Sequence, residues 1–168
     1  SKEYGFVARG SRAAPSVETH AVAAPRIAIM HTWQTTQTEG WVRLAFDEYG
    51  IPYDYISVHD VRDDRRLADK YDVIVFGPSV GDALSILRGL SGDRPIPWKS
   101  TPLTPNIGRQ ASTDDMRGGL EYSGLMHLEE FIRRGGTLIT LTNSSSLPTH
   151  FGLAPGVSIR ETRELWAP

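Results

Sequence analysis

Pro25-Arg26-Ile27-Ala28-Ile29-Met30-His31-Thr32-Trp33 is the stretch on which the fold turns. Ile27 to Met30 is a short continuous apolar run, bounded by Pro25 and by the polar residues from Thr32 to Thr38. Such a run fits a strand buried on both faces, as in a parallel sheet with helices on either side. Reading outward, Thr38 and Glu39 precede Trp41, Leu44, Ala45 and Tyr49 at helical intervals, and Gly50 and Pro52 supply a stop. The spacing predicts an amphipathic helix whose apolar face carries those four residues. Tyr53-Asp54-Tyr55-Ile56-Ser57-Val58 alternates as a second strand does, and the charged stretch from Asp60 to Asp72 reads as a solvated turn or short helix. Val73-Ile74-Val75-Phe76 is the third strand, ended by Gly77-Pro78. Leu120 to Arg134 carries Leu125, Leu128, Phe131 and Ile132 in helical spacing before the Gly135-Gly136 stop, and Thr137 to Leu141 is the fourth strand. Val157-Ser158-Ile159 is a candidate start for a fifth.

Apolar strands alternating with amphipathic helices imply a parallel α/β sheet in three layers. With so few strands, the expected arrangement is flavodoxin-like, order 2-1-3-4, with its topological switch between the first and third strands. Ligands belong at the strand ends there. Two regions stand outside the alternation. Residues 1–25 show no periodicity, are rich in Ala, Pro, Ser and Val from Arg12 on, and read as a linker or N-terminal arm; the opening Ser1-Lys2-Glu3-Tyr4 suggests an excised fragment. Gly92 to Gly118 contains Pro95, Pro97, Pro102 and Pro105 without helical or strand period, and exceeds the ~12–15 residues of ordinary loops. It is either a functional flap or a poorly ordered insertion, and its composition favours a structural or interaction role over catalysis.

The 168 residues suffice for one domain, and the net charge of −2 gives no overall electrostatic case for nucleic acid or an anionic membrane. No apolar run approaches the ~20 residues of a membrane-spanning helix. Cysteine is absent, which excludes disulfides, thiolate metal sites and a cysteine nucleophile in this chain.

Several residues have the chemistry of a site. His31 and His59 each follow a strand, and His150 follows the fourth; at such an edge a histidine serves as an acid, a base or a hydrogen-bonded loop residue. The loop from His31 to Trp41 is rich in hydrogen-bonding side chains and holds two of the four tryptophans. It suits a grip on a polar ligand or an interface. The turn Thr142-Asn143-Ser144-Ser145-Ser146 occupies the place of a nucleophile elbow but lacks the flanking glycines of G-x-S-x-G, and only His150 offers a base nearby. Three serines before a helix also suit capping, which is the favoured reading. His127 and Glu130 stand three apart on a helix, a spacing that can share a metal but more often belongs to a packing helix. Dinucleotide and P-loop motifs are missing.

The runs Arg26 to Trp33, Gln37 to Trp41 and Ile51 to Ser57, followed by Tyr71 to Val75, Gly118-Gly119-Leu120 and Phe131 to Ile139, resemble the C-terminal domain behind the catalytic domain of a bacterial group of M14-type zinc carboxypeptidases. The resemblance spans roughly Pro25 to Leu153. That domain is similar to class I glutamine amidotransferases and to the DJ-1-like superfamily, which carry a cysteine at an elbow and, in one branch, a glutamate after the first strand. Those positions fall here on Asn143 or Ser144 and on Glu39, so the nucleophile of the family is missing.

The resemblance implies an amidotransferase-like domain over residues 26–168, a non-catalytic accessory of a zinc carboxypeptidase serving substrate presentation, interdomain packing or polar-ligand binding. Its partners would be the catalytic domain of the same parent chain and a peptide or small polar ligand, with neither nucleic acid nor membrane insertion. No cofactor is expected in this chain, zinc being implied for the parent's catalytic domain alone. An export signal usually accompanies the family, which implies an extracytoplasmic home. The expected ligand-binding residues are His31, Trp33, Gln34, Gln37, Glu39, Ser79, Asn143 and Ser144. The alternative, a serine-dependent hydrolase on the same sheet, would use Ser144, His150 and Glu39.

Overall fold

The computed structural model describes residues 20–79 and 81–159, together with Gly10, residues 12–13 and residues 16–18. Four parallel strands form one sheet: β1 (Ile27–His31), β2 (Asp54–Ser57), β3 (Val73–Phe76) and β4 (Thr137–Thr140). Their order is β2-β1-β3-β4, as the apolar runs predict, giving an α/β flavodoxin-like arrangement. Register places His31 opposite Ser57, Met30 opposite Phe76 and Phe76 opposite Thr140.

Alternation along each strand divides the sheet into two unequal faces. Ala28, Met30, Ile56, Ile74 and Phe76 point into the main core, where they meet Leu67, Ile86, Leu125, Leu128 and Phe131. The helices that supply this layer are α2 (Val58–Asp63), α3 (Leu67–Lys70), α4 (Ala83–Arg88), α5 (Glu121–Arg133) and α6 (Ser146–His150). The charged stretch after β2 is therefore two short helices rather than a solvated turn, because Val58, Val61 and Leu67 recur at positions that turn inward. A capping box starts α2: Ser57 Oγ accepts from Asp60 N at 3.2 Å, and Asp60 Oδ2 accepts from Ser57 N at 2.7 Å.

The other face is covered by α1 (Thr36–Glu48), and here the amphipathic reading is corrected. Trp41, Leu44 and Tyr49 are exposed at 68%, 51% and 73%. The inward positions are Glu39, Val42, Arg43 and Phe46, with Phe46 packed edge-on to Tyr53 at 5.6 Å. The helix turns a polar pair toward the sheet, which apolar counting does not anticipate.

Val157 to Ile159 form no strand, so the proposed start of a fifth strand is also corrected; the chain beyond lies outside the described residues. Nor is the segment from Gly92 to Gly118 loose. Trp98 and Thr113 exchange both backbone hydrogen bonds, at 2.9 and 3.0 Å. Asp115 accepts from the Ile96 and Arg117 amides and from the Arg117 guanidinium. These contacts make a stem from which residues 99–112 project as a tip. No described helix is long and apolar enough to cross a membrane.

Candidate ligand cleft at the switch point

The site begins with β1. His31 is its last residue and shares the α1 side of the sheet with Ile29 and, one strand over, Tyr55. The two rings stack at 4.1 Å and 14°, and Trp33 closes on the imidazole edge-on at 5.0 Å. This packing leaves His31 2% exposed. Its Nδ1 lies 3.0 Å from Thr32 O, and a carbonyl can only accept, so Nδ1 carries the proton. Burial pushes the imidazole down to about 4, which keeps it neutral near pH 7. Nε2 is consequently a lone-pair acceptor, and it is buried without a partner.

Glu39 projects from the first turn of α1 into the same layer. Tyr55 donates its hydroxyl to Oε2 at 2.6 Å, and Arg43 donates Nε to Oε1 at 3.1 Å. The Arg43 guanidinium also lies 4.5 Å above the Tyr55 ring. Burial raises the Glu39 carboxyl above its ordinary range, while Tyr55 and Arg43 oppose that shift; Tyr55 is itself pushed well above the usual phenol range, by burial first and by the carboxylate second. Gly77, at the end of β3, makes room for this side chain, since a Cβ there would come within 3.0 Å of Glu39 Cγ.

Above this layer opens a cleft of about 270 Å³. One wall is His31, Gln37, Arg43 and Tyr55; the other is Trp98 with residues 106–111 from the tip of the insertion. The insertion is anchored beside the site: Trp33 Nε1 donates to His59 Nδ1 at 3.2 Å, which leaves the other ring nitrogen of His59 to donate to Gly118 O at 3.1 Å. His59 is thus a latch between the β1 loop and the end of the insertion.

The remaining candidates lie elsewhere. Gln34 is turned from this cleft toward α4 and the Gly89–Leu90 turn. Asn143 straps the ends of β3 and β4 together, accepting from Ser79 N at 3.1 Å and donating to the carbonyls of Ser79 and Gly81. Ser144 is fully buried; its hydroxyl proton is shared between the carbonyls of Phe76 and Leu141, at 3.0 and 2.8 Å, and its oxygen accepts from Leu141 N. A hydroxyl so committed holds the turn after β4 in place, and it makes no bond to His150, which is exposed at the end of α6 against Phe151. His127 donates Nδ1 to Val61 O at 2.9 Å and so ties α5 to α2, while Glu130 is exposed. Among the described residues no three His, Cys, Asp or Glu side chains are grouped to hold a metal.

Reading by sequence missed two things. Tyr55 and Arg43 were in reach of it, one from strand alternation and one from the i, i+4 relation to Glu39. Gly77-Pro78-Ser79-Val80-Gly81 also spells G-x-S-x-G between β3 and α4, the context the motif requires. Ser79 Oγ is buried and without a partner, yet Ser79 does not adopt the left-handed backbone of a strained elbow. Comparison with protein-family models, curated proteins and solved structures finds no match to this chain.

Proposed function

We propose that this chain is a non-catalytic, amidotransferase-like accessory domain that binds a small polar ligand in the cleft between β1 and the insertion. One observation carries the reading: the buried, unpartnered Nε2 of His31 at a cleft whose opposite wall is supplied by the insertion. A buried acceptor without a partner costs about 1–3 kcal/mol, a cost that a ligand's donor would remove. The parent would be a zinc carboxypeptidase, on the resemblance of the runs flanking β1, β2 and β4, and the exposed Trp41, Leu44 and Tyr49 of α1 suit packing against its catalytic domain. Titration of the chain with a panel of amino acids and short peptides, followed by Trp33 and Trp98 fluorescence, tests the binding role. Saturable quenching lost in His31→Phe is the expected result, and no response from any compound would refute it. Adding the catalytic domain of an M14-type carboxypeptidase tests the partner; a change in Trp41 emission is expected, and none would count against an interdomain role.

A serine-dependent hydrolase is the second reading, favoured by the G-x-S-x-G around Ser79 and by its free Oγ. Against it, no histidine hydrogen-bonds Ser79 or Ser144 among the described residues. A fluorophosphonate probe separates the two readings: labelling of Ser79 or Ser144 requires the hydrolase, and an unlabelled folded chain supports the binding domain.

A further inference from the structure

The walls of the cleft restrict what can occupy it. Its volume of about 270 Å³ is below that of sites for drug-sized ligands, which run from about 300 to 1,000 Å³, and so suits a molecule the size of an amino acid. No acidic side chain lines it. Of its two guanidinium groups, that of Arg43 is already engaged by Glu39, whereas Arg109 on the insertion tip makes no hydrogen bond or ion pair among the described residues. One uncompensated planar cation thus stands on one wall, and the other includes His31, whose Nε2 is a bare acceptor covered by its neighbours in the free chain.

We infer that the cleft takes a small carboxylate bearing an N–H or O–H donor on its α-carbon, with the carboxylate on Arg109 and the donor on His31 Nε2, which the ligand reaches by displacing the side chains that cover the ring; this rests on the cleft being a binding site. A guanidinium fork matches a carboxylate in two parallel hydrogen bonds, which gives both affinity and orientation. A phosphate dianion fits less well. It would bring two charges to one free cation and set acceptor oxygens against the lone pair of a neutral imidazole. Free α-amino acids, α-hydroxy acids and the C-terminal residue of a peptide all share the required chemistry, and in the last the donor is the amide N–H beside the terminal carboxylate.

Calorimetric titration of the chain with N-acetyl-alanine, alanine, lactate, N-acetyl-alanine amide and inorganic phosphate tests the assignment. The acids are expected to bind, with the amide at least about tenfold weaker, the weight of one charge-assisted pair. Tighter binding of N-acetyl-alanine than of alanine identifies a peptide end, and the reverse order a free amino acid. Arg109→Gln, at an exposed position that leaves the core untouched, should erase the difference between acid and amide. Equal affinity for acid and amide, unchanged acid affinity in Arg109→Gln, or phosphate binding as tight as the acid's overturns the carboxylate assignment while leaving the cleft a binding site. Silence from every compound refutes both.

Discussion

Replacing His31 by Phe tests whether the imidazole is buried in its neutral form. The benzene ring keeps the stack on Tyr55 and removes both ring nitrogens. At pH 7.5 two effects oppose each other: a buried acceptor without a partner disappears, which relieves about 1–3 kcal/mol, and the hydrogen bond from Nδ1 to Thr32 O is lost, which costs about 1 kcal/mol. The net change in stability should therefore lie between nothing and a gain of about 2 kcal/mol. Acid separates the two proteins. The imidazole titrates near 4 in the folded chain against 6.5 ordinarily, so the unfolded chain binds the proton first and stability falls as pH drops from 6.5 toward 4. Between pH 7.5 and pH 4.5 this removes about 2.5 kcal/mol from the wild type, and His31→Phe should be spared that loss. Glu39 contributes with the opposite sign, because its raised folded value lets the native state take up a proton first, but it is common to both proteins. Asp64 and Asp72, held down to about 2 by Lys70 and Arg26 respectively, lose their stabilising charge chiefly below this window. Urea denaturation across the range gives the answer. Parallel pH profiles for the two proteins would show that His31 is not buried as a neutral acceptor.

Ser144→Ala should cost about 1–3 kcal/mol in urea denaturation, since it strips partners from the turn after β4, and should leave ligand binding unchanged; lost binding with intact stability would place Ser144 in the site instead. Asp115→Ala removes the acceptor that joins Ile96 to Arg117, so limited proteolysis should cut between residues 92 and 118 faster and ligand affinity should drop while the thermal midpoint of the core hardly moves. Protection equal to the wild type would mean that Asp115 does not hold the stem. Gly119→Ala would drive a Cβ into the Ile86 carbonyl and to 2.6 Å from Gly89 N, where backbone cannot give, and should destabilise by about 3 kcal/mol or more; a midpoint within a degree of the wild type would refute that packing.

The sheet could be read from the chain because each strand is a four- to six-residue apolar or alternating run, and such runs in alternation with helices leave few arrangements. The orientation of α1 could not. Trp41, Leu44 and Tyr49 have the spacing of a core face, but the helix sits over Tyr55 and Gly77, where Glu39 and Arg43 find partners, and the apolar side is left outward. Half of the site was legible for the same reason as the sheet: His31, Trp33, Gln37 and Glu39 follow a strand that ends at the switch point. The other half comes from Trp98 and Arg109, far along the chain, brought over the strand end by the stem at Trp98 and Thr113 and by the His59 latch on Gly118. No local period encodes such a meeting. Ser144 has the position of a nucleophile in the sequence, but its hydroxyl serves two carbonyls, a distinction that only the fold makes.

Ligand binding in the cleft turns on one atom, Nε2 of His31, and nitrogen-15 NMR of the histidine side chains observes it directly. In the free chain at neutral pH, His31 should show a protonated Nδ1 and a bare Nε2, and Nε2 should shift toward the hydrogen-bonded range as N-acetyl-alanine is added. A protonated Nε2 in the free chain, or a bare Nε2 that does not move at saturating ligand, would contradict it.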